Sequence, residues 1–318
     1  MTGRTFDGTS TADDVLAGLD LVGKLALVTG ASSGLGAESA RALAARGAAV
    51  VMTARDVGKA EKVAAGIRET TGNAGVSVME LHLEVPSSVR AFAKDFLARH
   101  RALHLLIGNA GVMACPLERT AEGYELQFAT NHLGHYLLGT LLAPALRAGA
   151  PARVVSVSSA GHRFATVNVD DPHFQRRPYD KWESYGQSKT ANIWYALELD
   201  RRLASAGVRA FAIHPGMIAT ELGRHLVPDD IATLRARAAE RESTGKTSWK
   251  TIPQGAATQL YAATAPELEG KGALYLEDCQ LSGPTPCPGG LGTSPWAFDT
   301  EGAARLWKLS EDTTGGRI

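Results

Sequence analysis

The sequence predicts a single-domain, three-layer α/β fold built on a doubly wound, mostly parallel sheet, and three observations support this. Short apolar runs recur along the chain, amphipathic stretches separate them, and a glycine-rich turn joins the first run to the first helical stretch. Residues 1–23 form an N-terminal extension with one helical piece, ADDVLAGL. Strands are then expected at LALVT, AVVMTA, VSVMELHL, LHLLIGNA, ARVVSVSS and VRAFAIHP, with a short edge strand at GALYLE. Right-handed crossovers place the ligand crevice at the C-terminal ends of these strands. The domain spans 24–281 and includes a mobile lid at about 221–254. Residues 282–318 are a tail packed on the domain, and its Gly- and Pro-rich stretch CQLSGPTPCPGGLGTSPWAFDT is expected to wrap the surface, pinned by burial of Trp296 and Trp307.

At 318 residues and 44% hydrophobic content the chain can bury a large core. Its 33 basic and 33 acidic residues give no net charge that would favour nucleic acid or an anionic membrane. Cys115, Cys279 and Cys287 lack zinc-site spacing, are too few for a disulfide framework, and are expected to be reduced thiols. No run of about 18 apolar residues is present and the first residues are polar, so a cytoplasmic location without a membrane span is expected. His132 and His135, in TNHLGHYLL, have no carboxylate or cysteine partners at metal-ligand spacing and are expected to be structural, with no metal site.

Two local patterns carry chemistry. Thr29 to Gly36 reads TGASSGLG between a strand and a helix; Gly30, Gly34 and Gly36 allow a tight turn, and the following helix N-terminus offers N–H groups to a pyrophosphate. The spacing differs from GxGxxG. Further on, Tyr185 and Lys189 in SYGQSKTAN lie one helical turn apart. An ammonium beside a phenol lowers its pKa, and such a phenol can exchange a proton with an alcohol or carbonyl oxygen.

With these motifs the chain resembles the short-chain dehydrogenase/reductase family, classical type, over nearly its whole length. The glycine motif falls on Thr29 to Gly36, the NAG motif on Asn109, Ala110 and Gly111, the active-site asparagine on Asn131, the serine on Ser159, the Tyr and Lys on Tyr185 and Lys189, and the proline-glycine motif on Pro215 and Gly216. The segment between Ser159 and Tyr185, the helix SKTANIWYALEL, and the stretches GALYLEDCQ and ARLWKLSED resemble the branch of retinol dehydrogenases and WW-domain oxidoreductases. The resemblance implies a Rossmann-type fold and alcohol–carbonyl interconversion with a nicotinamide cofactor. Ser159 and Tyr185 bind the carbonyl, Tyr185 gives the proton, Lys189 lowers the tyrosine pKa and binds the nicotinamide ribose, and Asn131 holds a water leading to Lys189.

The same resemblance assigns Gly30, Ser32, Ser33, Gly34, Leu35, Gly36, Asn109, Ala110, Gly111, Tyr185, Lys189, Pro215, Gly216 and Thr220 to cofactor binding, with Thr220 on the carboxamide. After the second strand, Ala54 stands where NAD-preferring members carry an acid and Arg55 follows. An unopposed guanidinium there favours NADP(H) over NAD(H), with Lys59 adding to the effect and Asp56 opposing it. Glu84 replaces the aspartate that contacts adenine in many relatives.

Met113, Met217, Trp194 and Trp249 are candidates for an apolar pocket suited to a hydrophobic, secondary alcohol or its ketone or aldehyde, and FATVNVDDPHFQRRPYDKWE for a second wall or a surface loop. Similarity to light-dependent protochlorophyllide reductases keeps C=C reduction as an alternative, and a non-catalytic NADP(H)-binding regulatory module is another. Relatives form dimers or tetramers through the helix near Glu122 and the one carrying Tyr185, so a homodimer, homotetramer or monomer is expected.

Overall fold

A computed structural model describes residues 5–242, 249–284 and 292–318. The strands are β1 (Leu25–Thr29), β2 (Ala49–Ala54), β3 (Val76–Glu80), β4 (Leu105–Gly108), β5 (Ala152–Val157), β6 (Val208–His214), β7 (Leu274–Glu277) and β8 (Gln280–Leu281). They form one sheet in the order β3-β2-β1-β4-β5-β6-β7-β8, parallel throughout except for the β7/β8 pair. The order reverses between β1 and β4, which opens the crevice expected of a doubly wound sheet.

Strand alternation builds a core on each face. In β1 and β2, Ala26, Val28, Val50 and Met52 join the cluster beneath α1 (Ala12–Leu16), α2 (Gly34–Ala44) and α10 (Ile252–Thr264). Leu27 and Val51 point the other way, toward α4 (Pro86–Arg99), α6 (Gly134–Leu141) and α8 (Lys181–Leu203). Because helices cover both faces, the strands read as continuous apolar runs. Among the described residues no helix is long and apolar enough to cross a membrane.

Several expectations need adjustment. The N-terminal extension is part of the core: Thr11 caps α1 through a capping box with Asp14, and Leu16 is fully buried. The third strand stops at Glu80, because its register with β2 ends at Ala54; Leu81 and Leu83 are buried beyond it as loop residues. The tail is more than a wrap. Asp299 accepts hydrogen bonds from the N–H groups of Glu301 and Gly302 and starts α11 (Thr300–Thr314), which buries Leu306 and Trp307 and packs on α8. A Cβ at Gly302 would stand 2.6 Å from Cη2 of Trp194, which shows how closely this helix approaches. Trp296 is half-buried rather than buried, and it works through hydrogen bonds described below. In the expected lid, α9 (Pro228–Glu242) is a helix, while residues 243–248 lie outside the described residues, as does Cys287. Cys115 and Cys279 are free and buried.

Candidate active site

The glycine turn and the NAG segment lock together at the C-terminal ends of β1 and β4. Gly30 has φ +65°, and a Cβ there would lie 2.8 Å from Cα of Ala110. At Gly36 a Cβ would lie 2.4 Å from the Gly30 carbonyl oxygen and 2.6 Å from Nδ2 of Asn109. Only hydrogen fits at these two positions. Asn109 Nδ2 donates to the Thr29 carbonyl (2.9 Å), and the Ala110 N–H donates to Thr29 Oγ1 (3.0 Å). Ser33 opens α2 in extended conformation without capping it, which leaves the first N–H groups of the helix without a side-chain cap. This cradle fits a pyrophosphate. At its rim, Glu84 Oε2 is buried without a hydrogen-bond partner, an acceptor open to a ligand donor.

The asparagine, serine, tyrosine and lysine converge beyond β5. Asn131 lies in a π-helical turn, Ala129–Leu133, between α5 (Leu126–Phe128) and α6. Such turns often occur at functional sites, and no periodicity in the sequence announces them. Asn131 Nδ2 donates to the Val112 carbonyl and to Ser188 Oγ (both 2.9 Å), and Oδ1 accepts from the Val112 N–H (2.8 Å). Both amide hydrogens are therefore committed, leaving one lone pair of Oδ1 for a water toward Lys189. The expected water could be held there, but not by the amide nitrogen.

Ser159 caps the short turn Ala160–Phe164, accepting from the Gly161 N–H at 3.0 Å, and its Oγ would lie 3.4 Å from a Cβ built at Gly161. The Tyr185 ring lies against Gly161, where a Cβ would come within 2.6 Å of Cε1. Lys189 Nζ donates to the Val157 carbonyl (2.9 Å) and lies 5.7 Å from the centre of the tyrosine ring. Burial pushes the Tyr185 phenol up to about 12, with the nearby Ser159 hydroxyl pulling the other way. Burial brings Lys189 down to about 8. The lowered phenol pKa inferred from spacing is thus reversed: desolvation dominates, and the ammonium faces a carbonyl and the ring. At neutral pH the phenol is a proton donor.

Three buried histidines tie these parts together. His135 Nδ1 bonds the Asn131 carbonyl (3.0 Å), which must accept, so Nδ1 carries the hydrogen and Nε2 accepts from Thr29 Oγ1 (2.9 Å). The asparagine turn is thereby coupled to the glycine turn. His162 takes the same tautomer: the Ser294 N–H donates to Nε2 (3.1 Å), and Nδ1 donates to the Ser159 carbonyl (2.6 Å). The segment holding it is fastened by Gly292 N–H to Glu277 Oε2 (2.6 Å), Trp296 Nε1 to the His162 carbonyl (3.2 Å) and Trp194 Nε1 to the Trp296 carbonyl (2.9 Å). Sequence reasoning missed His162, although it follows Ser159 by three residues in SSAGH. His132 pairs with Ser310 of α11 (2.7 Å). Among the described residues no cluster of three His, Cys, Asp or Glu could hold a metal.

The remaining candidates divide. Gly216, beside Pro215, has φ +101° and packs on Lys250, where a Cβ would lie 2.7 Å from Cδ. Thr220 caps the turn Glu221–His225, and its methyl faces Gly34, at 3.5 Å from a Cβ built there. Arg55 is not unopposed: Nη1 lies 3.8 Å from Glu84 Oε1. Lys59 Nζ is held by both oxygens of Glu221 (2.6 and 2.8 Å), which also accept from Ser33 Oγ (3.2 Å). Asp56 is spent capping α3 (Val57–Thr71), accepting from the Lys59 N–H. Trp194 lies in the core with Phe128, Leu133 and Leu306, not in a pocket. Met113 and Met217 are half-buried, and Trp249 is exposed and bridges to Met217. The insertion is pinned to α8, with Gln187 Nε2 donating to the Pro172 carbonyl (2.7 Å). The start of α9 is pinned there too, through Asp230 to Lys181 Nζ (2.6 Å) and Trp182 Nε1 (3.2 Å).

The chain is similar to known proteins. The family model described as short chain dehydrogenase matches residues 24–230. The short-chain dehydrogenase/reductase prx1 of Penicillium roqueforti is 42% identical over 314 residues, covering 96% of this chain and 90% of the relative. Human retinol dehydrogenase 12 is 40% identical over 299 residues, covering 94% and 89%. The crystal structure of an uncharacterised protein from Mycobacterium paratuberculosis superposes with TM-score 0.74 at 35% identity, covering 97% of this chain and 98% of the other.

Proposed function

The chain belongs to the short-chain dehydrogenase/reductase family of NAD(P)-dependent oxidoreductases acting on CH–OH donors, and from that premise we propose that it interconverts a hydrophobic alcohol and its carbonyl, a secondary alcohol and its ketone or a primary alcohol and its aldehyde, with NADP(H). The observation that carries the reading is the meeting of Ser159 Oγ and the buried Tyr185 ring at Gly161, with a protonated phenol and Lys189 one turn away on α8.

The bound nicotinamide cofactor supplies or accepts the hydride. In the reductive direction Ser159 and Tyr185 donate to the substrate oxygen and stabilise the charge that develops on it. Tyr185 then passes its phenolic proton to that oxygen. Lys189, fixed by the Val157 carbonyl, favours the resulting phenolate and returns a proton to it, and is itself reprotonated from solvent through a water that would donate to the lone pair left on Asn131 Oδ1. The Gly30, Gly34 and Gly36 turn with Ser32, Ser33 and Leu35, the Asn109–Gly111 segment, Glu84, Gly216 and Thr220 would hold the cofactor. Arg55 and Lys59 supply the cations for the 2′-phosphate, each already paired with a carboxylate.

The half-buried Met113 and Met217 support an apolar substrate. α11 lies on the outer face of α8, the helix through which relatives associate, and this supports a monomer. The test is to titrate the protein with NADPH and NADH by nicotinamide fluorescence and then to screen ketones, aldehydes and secondary alcohols. NADPH binding with turnover of bulky apolar carbonyls is expected; turnover of conjugated C=C substrates alone, or of none, overturns the reading.

A further inference from the structure

The rim of the cofactor crevice carries a charge arrangement that neither the motifs nor the family explains. Lys59 in the first turn of α3 and Ser33 before α2 both bind one carboxylate, that of Glu221, which comes from the turn after β6. These contacts join segments 162 and 188 residues apart in sequence. Lys59 holds the carboxyl in its charged form, and Arg224, whose guanidinium donates to the Glu221 carbonyl (3.1 Å), adds to the positive field. Thr220, next in the chain, faces Gly34, so the carboxylate stands at the outer end of the glycine turn.

Resting on the reading above, we propose that Glu221 sets the phosphate discrimination of the cofactor site. Its carboxylate is an internal anion held by Ser33 and Lys59, donors that a 2′-phosphate needs, so the phosphate binds only by displacing it. Three points support displacement rather than a permanent bridge. Both partners of the pair are largely exposed, at 41% and 64% of the side chain, and exposed pairs are weak. A phosphate monoester carries more charge than a carboxylate and has three acceptor oxygens. Arg55, four residues before Lys59, has a poor alternative in Glu84 at 3.8 Å and can join the phosphate. NAD(H), with a hydroxyl at that position, leaves the Glu221 contacts in place. The site therefore discriminates less strongly for NADP(H) than its two cations alone would.

The test is binding by the full chain, which needs no carbonyl substrate. Glu221→Gln should raise NADPH affinity about three- to tenfold and change NADH affinity less than about twofold, by removing one unit charge beside the phosphate. Lys59→Met should weaken NADPH binding, and in the double variant the gain from Glu221→Gln should shrink, because the residues act through one another. Equal changes for both cofactors, or none for either, would overturn the proposal while leaving the oxidoreductase reading intact. Wild-type protein that binds neither cofactor would overturn both.

Discussion

The two ends of the crevice are built differently. At the catalytic end, Asn131, Tyr185 and Lys189 are buried, and Asn131 and Lys189 are fixed by main-chain groups of Val112 and Val157. At the phosphate end, among the described residues, the side chains of Arg55, Lys59, Ser33 and Glu221 pair with one another's or with that of Glu84, in contact with solvent. A side chain held by backbone inherits the rigidity of the sheet. One held by another side chain can be exchanged for a ligand. On the proposed function, chemistry belongs to the fixed half and selectivity to the exchangeable half.

The largest effect should come from Tyr185→Phe, which removes the proton donor and nothing from the rim: turnover should fall about 10²- to 10⁴-fold with cofactor affinity unchanged. Retained turnover would break the division, since the fixed half would then not carry the chemistry. Asn131→Ala strands the Val112 N–H and carbonyl, while the Ser188 hydroxyl keeps its bond to the Tyr185 carbonyl. A cost of about 1–3 kcal/mol for each buried group left unpaired should appear as a lower melting temperature together with lost activity. Acid should act on the same half. Burial lowers His135 and His162 to about 4 and His132 to about 3. Unfolded histidines near 6.5 take up protons that the native ones refuse, so stability is full above pH 6.5 and falls as pH drops toward 4. A melting temperature about 5 °C or more lower at pH 5 than at pH 7 is expected; a flat profile would mean these imidazoles can charge in place.

His162→Ala sharpens the comparison, because it leaves the Ser159 carbonyl with the N–H of residue 162 alone and spares every rim residue: turnover should fall about tenfold, with NADPH affinity unaltered. The smallest effect is that of salt. Raising NaCl from about 50 to about 500 mM should weaken NADPH binding a few-fold by screening the exposed cations, with little change in turnover at saturating cofactor. A salt-dependent turnover would place screened charges in the catalytic half too.

The same contrast explains what could be read from the residues. Strand runs and the glycine turn follow from local physics, since a two-sided sheet needs continuous apolar runs and only glycine tolerates the Ala110 contact at Gly30. The motif positions of Asn131, Ser159, Tyr185 and Lys189 all fell at one place. Their electrostatics did not follow from spacing: one helical turn puts Lys189 beside Tyr185 but says nothing of the desolvation that raises the phenol. Arg55 looked unopposed because Glu84 approaches it from another segment, as Glu221 approaches Lys59. The Asp299 cap of α11 was legible as Asp before a helix-forming run, yet the Gly- and Pro-rich composition before it masked the signal.

The interlock at Thr29 also bears on the order of folding. Its hydroxyl receives the Ala110 N–H and meets His135, and its carbonyl receives Asn109. All of these partners lie about 80 or more residues further along the chain. Closing so long a loop is entropically slow, so the glycine turn cannot be locked until β4 has crossed over to pair with β1. The nucleotide then meets an already assembled sheet: it can hold the finished protein together, but it arrives too late to guide the chain there.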